Sequence, residues 1–496
     1  MTAVGGTVRR PAIAALPQGL KRRQLTLLPL SMVMFFTVSG GPYGLEELVA
    51  ESGALVALLL ILLTPLIWSV PTALMVAELS TMMPVEGGYY AWVKKGLGPF
   101  WGFLEGWWSW LASFVDMAIY PVLFATYLSA LLEQLGVTLL TDNPLGRWLV
   151  ALAVIWPFAL LNVRGARPVG FSSIAFAVVV LAPFGVLVAL AAGQLLAGEA
   201  SPAGMLVGPD GSLFSALGLG LFIVMWNYSG WDGASTFGEE IRRPRSDVTA
   251  MLALTVPLIT LAYLLPTAAG LLGTPDAEQW TEGSFPRIAA SVGGEWLGVL
   301  IAVGGLVSAA ALFSANMLSV SRVPFVLAAD GYLPEAITRV HPRFGTPWVS
   351  ILLCAVIYSI FSWSTFAGLV VVDVILYSAT ILLEFAALIA LRRRLPQARR
   401  PFRVPGGWPG VIAATVLPAA LVVLATVITF QEEGEMAIYL SAGALLSGVV
   451  LYPVLRVLVK RGAPDVFVPV EGEESAEAWK MIKLPRLVPK ARPRWD

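Results

Sequence analysis

Residues 32–49 read MVMFFTVSGGPYGLEELV. Apolar side chains dominate the first seven places, so the stretch starts as a helix. It cannot continue through Ser39-Gly40-Gly41-Pro42, because the glycines have no side chain to favour helical geometry and the proline has no amide hydrogen. A second apolar stretch, residues 221–240, LFIVMWNYSGWDGASTFGEE, is weakened in the same way at Ser229, Gly230 and Gly233. About 190 residues separate Gly40 from Gly230, and each break opens a block of five apolar stretches. One such break reads equally well as a packing kink, since Gly and Pro are common in membrane helices. Two at matched positions predict discontinuous helices around a binding site near the bilayer midplane.

The composition places those breaks in a membrane. Of 496 residues, 57% are hydrophobic and 13% charged, and the mean hydropathy is +0.79, whereas an ordinary soluble domain is about 25% charged. Apolar runs near 27–49, 54–80, 100–131, 147–162, 168–197, 213–238, 248–272, 296–325, 346–362, 366–391, 408–431 and 435–459 predict about twelve transmembrane helices, each needing about 20 residues. The expected organisation is a tail over 1–26, a five-helix repeat over 27–197, a second, inverted repeat over 213–391, two peripheral helices over 408–459 and a tail over 460–496.

Orientation follows from the basic residues, which favour cytoplasmic loops. With both termini cytoplasmic, 30 of the 32 Lys and Arg residues fall inside, and only Arg147 and Arg287 fall outside. The outer loops instead carry Glu51, Glu133, Asp142, Glu199, Asp210, Asp276, Glu278, Glu282, Glu432, Glu433 and Glu435. The first 26 residues contain Arg9, Arg10, Lys21, Arg22 and Arg23 and predict no removable signal peptide. Glu471 to Ile482 reads either as a short amphipathic surface helix or as part of a solvated tail.

Enzyme chemistry finds little support. Cys354 is the one cysteine and His341 the one histidine, so an intrachain disulfide and a cysteine metal cluster are excluded, and no nucleotide loop or nucleophile motif is present. Asn227-Tyr-Ser229 matches a glycosylation acceptor, but its place inside an apolar stretch argues against that use.

The chain resembles the permeases of the amino acid–polyamine–organocation (APC) superfamily. The resemblance rests on Ser39-Gly-Gly-Pro-Tyr-Gly44, Trp226-Asn-Tyr-Ser-Gly-Trp-Asp232 running on to Gly238-Glu-Glu-Ile241, Gly345-Thr-Pro-Trp348, Leu382-Leu-Glu-Phe385 and Arg400-Pro-Phe-Arg-Val-Pro405. It covers nearly everything from 27 to 460 and is nearest to the polyamine:proton symporters of plants and protozoa. It implies an all-α, LeuT-like fold of two inverted five-helix repeats with discontinuous first and sixth helices, working by alternating access in the plasma membrane. It also implies proton-coupled uptake of polyamines of the putrescine and spermidine class, with an amino-acid permease or exchanger and a transporter-like nutrient sensor as the alternatives.

Candidate site residues divide into acids, aromatics and backbone. A carboxylate in a membrane helix costs roughly 2.5–3.5 kcal/mol, which makes it functional by default. Asp116 and Asp232 are the first candidates for substrate and proton coupling. Asp232 follows the second break, where related permeases often carry a Glu tied to proton sensing or substrate, and capping of the restarted helix is the other reading. Asp116 matches a substrate-facing polar position of related exchangers, against plain pairing within the bundle. Asp373 has no motif behind it and joins the coupling candidates at even weight.

Tyr43, Trp226, Tyr228, Trp231 and Tyr377 could cover an ammonium by cation–π contact. Ser39, Gly40, Gly41, Asn227 and Ser229 offer backbone and polar contacts. Asn316 matches a substrate contact of related exchangers or makes an interhelical hydrogen bond. Glu46 and Glu47 are read as cation collectors at the outer mouth, with one of them facing water. Glu239 and Glu240 are read as a solvated cluster with Arg242, Arg243 and Arg245, and Glu78 and Glu384 as inner-gate or structural acids. Trp107, Trp108 and Trp110 are read as packing or interfacial anchors.

The acids favour a cationic substrate, either an amine or an amino acid. Where the superfamily usually has Gly-Ser-Gly-hydrophobic, Pro42 removes one amide donor for a carboxylate, so polyamine is preferred. No cofactor and no nucleic-acid partner are expected; the lipid bilayer is the surrounding partner, and oligomeric state is left open. The fifth apolar run contains no Lys, so proton coupling falls to a carboxylate. A sodium site using Ser308, Ser314 and Ser319 stays open as the alternative.

Overall fold

The computed structural model describes residues 23–134, 136–200, 213–363, 370–432 and 435–458. Arg9, Arg10, Lys21, Arg22, Asp210, Glu433 and the stretch Glu471 to Ile482 lie outside them. The described chain is helical, with two isolated bridges, Leu25 to Ile241 and Glu86 to Phe237, in place of any strand.

The first block holds α1 (Leu27–Val38), α2 (Glu46–Ser52), α3 (Ala54–Thr64), α4 (Val70–Met82), α5 (Gly88–Leu97), α6 (Pro99–Gln134), α7 (Pro144–Arg164) and α8 (Ala166–Leu196). The second holds α9 (Leu213–Asn227), α10 (Pro244–Gly273), α11 (Phe285–Gly293), α12 (Glu295–Val320), α13 (Arg322–Ala329), α14 (Trp348–Phe361) and α15 (Val370–Arg394). Then come α16 (Gly407–Glu432) and α17 (Glu435–Leu458). Among the described residues, nine helices are long and apolar enough to cross a membrane, counting Ala54–Met82 as one, and α1 and α14 are shorter apolar helices. Side chains such as Leu66, Val178 and Val423, each at least 60% exposed, form the apolar outer surface that a bilayer would cover.

Both interruptions occur where the sequence places them. Ser39 leaves the helix in an extended conformation (φ −137°, ψ 131°), and α2 restarts with Glu46 and Glu47 in its first turn, where acids complement the helix dipole. Helix α9 stops at Asn227, and the chain re-forms only as 3-10 turns at Gly233–Thr236 and Gly238–Glu240. The single helix expected over 213–238 is therefore corrected to a half-helix and an irregular segment. The helix expected over 296–325 ends at Val320, with α13 separate. Helices α5 and α11 escaped the hydropathy reading because 10 and 9 residues are too few to span a bilayer.

The two ends of the bundle are built differently. At one, Tyr43 packs edge-to-face on Tyr127, Phe184 and Phe285, with ring centroids 5.7, 5.1 and 6.3 Å away. At the other, ion pairs dominate. Arg322, fully buried, reaches Glu240 at 2.6 Å and Glu86 at 3.5 Å. Glu78 pairs with Arg392, lies 3.2 Å from Arg400 and accepts the Val404 N–H. Asp330 pairs with Lys94 and accepts from the Tyr90 hydroxyl. Main-chain bonds from Gln24 to Glu240 and from Arg242 to Leu25 tie the second break to the segment before α1 at this end. Glu240 is thus no member of a solvated cluster: it is 2% exposed, because the buried Arg322 draws it inward. Glu78 fits its structural reading. Trp107 and Trp108 act in packing, donating to Ser447 Oγ and the Leu445 carbonyl and so binding α17 to α6.

Removing one member of a buried ion pair strands the other, a loss of about 3–5 kcal/mol. Arg322→Met should lower the melting temperature strongly in detergent, and adding Glu240→Gln should recover part of the loss. Equal melting of Arg322→Met and the parent in a fluorescence thermal-shift assay would remove Arg322 from the stabilising set.

Candidate functional site

The two breaks meet around a cavity of about 130 Å³. At the first, irregular backbone needs new partners, and nearby side chains provide them. The Gly41 N–H donates to Ser39 Oγ at 3.1 Å, and the Gly44 N–H donates to Glu46 Oε2 at 2.7 Å. Ser308 Oγ donates to the Gly40 carbonyl, and Asn316 Nδ2 reaches the Phe36 carbonyl at 3.4 Å. A Cβ on Gly40 would lie 2.4 Å from Ser308 Oγ and 2.6 Å from Leu312 Cδ1, so helix α12 packs where a side chain would be.

At the second break, one hydroxyl does two tasks. Tyr377 Oη on α15 accepts the Gly230 N–H at 2.7 Å and donates to Asp232 Oδ1 at 2.7 Å. Gly230 has φ +99°, and a Cβ there would stand 2.7 Å from the Thr37 carbonyl oxygen at the end of α1. The two broken helices therefore touch, and glycine is required by conformation and by space. Ser319 Oγ donates to the Gly233 carbonyl at 2.9 Å. The Asp232 side chain makes no capping bond to the 3-10 turn that follows, which overturns the capping reading. It faces the cavity.

Helix α6 forms the third wall with one stripe, Ser109, Ala112, Ser113, Asp116, Tyr120, Leu123 and Tyr127, at the three- and four-residue spacing that aligns a helix face. The Tyr120 hydroxyl donates to Asp116 Oδ1 at 2.8 Å, one turn away, and its ring lies 6.5 Å from that of Trp226 at an interplanar angle of 24°. Asp373, at the start of α15, also lines the cavity and lies within electrostatic range of Asp116. Three carboxylates thus face one space, and no Lys, Arg or His is among its described lining residues.

The expected residues divide accordingly. Gly40, Tyr43, Asp116, Trp226, Asn227, Ser229, Asp232, Asn316, Asp373 and Tyr377 all line the cavity. Ser39, Gly41, Tyr228 and Trp231 do not, and they are corrected to supporting positions. Ser39 and Gly41 bond to each other. Tyr228 turns away and donates to the Ile61 carbonyl at 2.9 Å, and Trp231 is fully buried. Asn316 makes the interhelical bond, reaching across to α1, and also lines the cavity. Glu46 is buried and holds Gly44, so it collects nothing at a mouth, whereas Glu47 is exposed. Of the three serines weighed for sodium, Ser308 and Ser319 line the cavity and serve the broken backbone, while Ser314 does not line it. Tyr89, Ser109, Ser113, Tyr120 and Tyr127 were missed, although their spacing to Asp116 on α6 was a readable signal for all but Tyr89.

Comparison with known proteins adds the family. The amino acid permease family model matches residues 28–447. The chain belongs to that family. This permease is 36% identical over 450 residues to "Polyamine transporter PUT1" of Oryza sativa subsp. japonica, covering 90% of this chain and 81% of the relative. It is 33% identical over 467 residues to "Polyamine transporter RMV1" of Arabidopsis thaliana, covering 92% and 91%. A match to "Cationic amino acid transporter 4" of Mus musculus is 28% identical over 358 residues, covering 68% and 55%. The chain is a transporter rather than an enzyme, as its sequence suggested.

Tyr377→Phe removes the acceptor for a buried N–H and a donor to a buried carboxylate, a loss of about 1–3 kcal/mol. A thermal-shift assay should register a lower melting temperature for it, and a larger drop for Gly230→Ala, whose Cβ presses on backbone. An unchanged melting temperature in Tyr377→Phe would show that its hydroxyl bridges nothing of consequence.

Proposed function

We propose that this permease takes up polyamines of the putrescine and spermidine class, driven by protons and working by alternating access. The observation that carries the reading is the cavity's charge: Asp116, Asp232 and Asp373 line it without a basic residue among the described lining. A site of like charges is stabilised by a ligand of opposite charge. Aromatic rings of Tyr120, Trp226 and Tyr377 stand beside the acids, where cation–π attraction adds to ammonium binding. The relatives named as polyamine transporters support the same class.

An amino acid brings a carboxylate as well, and the first break has little left for one. The Gly41 and Gly44 amides are taken by Ser39 and Glu46, and residue 42 is proline. That leaves the Gly40 amide among the three glycines of the break. The amino-acid reading keeps the support of the mouse relative's name and has its own outcome below.

The wider layout belongs to the same proposal. Twelve spans result when α1 with α2, α9 with the turns after it, and α14 each cross. The two breaks then head inverted five-helix repeats, the ion-paired end and both termini face the cytoplasm, and the protein sits in the plasma membrane. Proton coupling rests on the cavity carboxylates, Asp232 and Asp116 first and Asp373 with them.

Purified protein in liposomes should accumulate labelled spermidine only under an imposed proton gradient. Asp232→Asn should reduce that accumulation by about tenfold or more, the equivalent of at least about 1.4 kcal/mol. Accumulation of a neutral amino acid in place of spermidine would defeat the polyamine reading, and binding without flux would favour a sensor. In a Cys354→Ser background, cysteines at Glu199 and Asp276 should label from outside intact cells and one at Arg339 only after permeabilisation; the reverse pattern would invert the topology.

A further inference from the structure

At the ion-paired end, most buried acids have a basic partner: Glu78 has Arg392 and Arg400, Glu86 and Glu240 share Arg322, Asp247 has Arg243, and Asp330 has Lys94. Glu105 and Glu384 do not follow this pattern. Both are 0% exposed, none of their four carboxylate oxygens makes a hydrogen bond of good geometry, and the Ser109 hydroxyl is the donor in range of Glu105. Glu105 lies one turn before the cavity residue Ser109 on α6, about 9 Å along the helix from Pro99. Glu384 lies about 10 Å along α15 beyond the cavity residue Tyr377, towards Arg392. The two glutamates are within electrostatic range of each other and of Asp232. Neither lines the cavity, whereas Tyr89 of α5 does and is in range of all three acids. The titratable groups in range of the pair are thus Asp232, Tyr89 and, for Glu384, Tyr377. Lys94 on α5 is engaged by Asp330.

A desolvated carboxylate with no cation beside it does not remain ionised; it takes a proton. Two acids within electrostatic range of each other resist carrying charge together. An ammonium group would need space, and the cavity stops short of these side chains. We propose that Glu105 and Glu384 form the proton-carrying pair of the transport cycle, separate from the cavity aspartates that hold the substrate amine. This rests on the proton-coupled reading above. Opening of the ion-paired end admits water, which takes the proton of one glutamate: one O–H bond breaks at that carboxyl and one forms on water, leaving the carboxylate ionised. When an ammonium group next settles on Asp232, the proton held there passes to the ionised glutamate, one O–H bond breaking at Asp232 and one forming at the glutamate, so that the pair is neutral again. Coupling still begins at a cavity carboxylate, Asp232, and the pair carries its proton onward to the ion-paired end.

Infrared spectroscopy of the protein in lipid near neutral pH tests the protonation without any substrate. The wild type should show a protonated-carboxyl C=O band that weakens in Glu105→Gln and in Glu384→Gln and falls further in the double variant; an undiminished band in the double variant would overturn the proposal. In liposomes, the glutamine variants should exchange labelled spermidine at equilibrium within about twofold of wild type, yet lose about tenfold or more of gradient-driven accumulation and the accompanying proton influx. Glu105→Asp should restore part of that coupling, which a merely structural role for the carboxyl would not require. Variants that accumulate spermidine with wild-type proton influx would also overturn it. A wild type with the glutamate band but no spermidine accumulation would defeat the polyamine reading alone, leaving the proton on the pair.

Discussion

The contact of Gly230 with the Thr37 carbonyl is the constraint on which the site depends, since it brings one broken helix against the other with no room for a side chain between them. Broken backbone at bilayer depth is tolerated only where other groups restore its hydrogen bonds. Here the partners are a ring of side chains from several helices: Ser39 and Glu46 near the first break, Ser308, Asn316 and Ser319 on α12, and Tyr377 on α15. Satisfying the backbone in this way also decides what remains for a ligand. The Gly41, Gly44 and Gly230 amides and the Gly40 and Gly233 carbonyls are engaged by the protein, while the aspartates are left facing the cavity.

This division explains how far the site could be read from the sequence. Gly40-Gly41-Pro42 and Ser229-Gly230 stand out because helix breakers inside apolar runs have few structural uses, and Asp116, Asp232 and Asp373 stand out because carboxylates there are costly. Tyr228 and Trp231 were misjudged for a definite reason. Beyond Asn227 the chain no longer follows the helical period, so its residue-by-residue direction cannot be counted forward. On α6 the period holds over 36 residues, and the stripe from Ser109 to Tyr127 could have been extended from Asp116 alone. The Arg322 pairings lay out of reach, since Glu240 and Arg322 are 82 positions apart in the chain and only the tertiary fold brings them together.

The unequal ends give alternating access a physical basis. Tyr43 and its aromatic neighbours meet through apolar edges, an arrangement whose partners can slide with little change in solvation. Arg322 with Glu86 and Glu240, and Glu78 with Arg392 and Arg400, are desolvated charges, and separating them requires water to enter as they part. Opening at the ion-paired end is therefore tied to hydration of everything just beneath it, including Glu105 and Glu384.

That tie makes a cation the natural currency of the cycle. An empty cavity with several ionised carboxylates would resist the dry, closed states through which a carrier must pass, because burying unpaired charge is unfavourable by several kcal/mol per ion. Neutralisation by bound ammonium groups, by protons, or by both in turn removes that barrier. The same acids that select a positive substrate thus also discourage passage of an unloaded, unprotonated carrier. Coupling on this view needs no dedicated switch: it follows from placing carboxylates where the protein has provided no cation of its own.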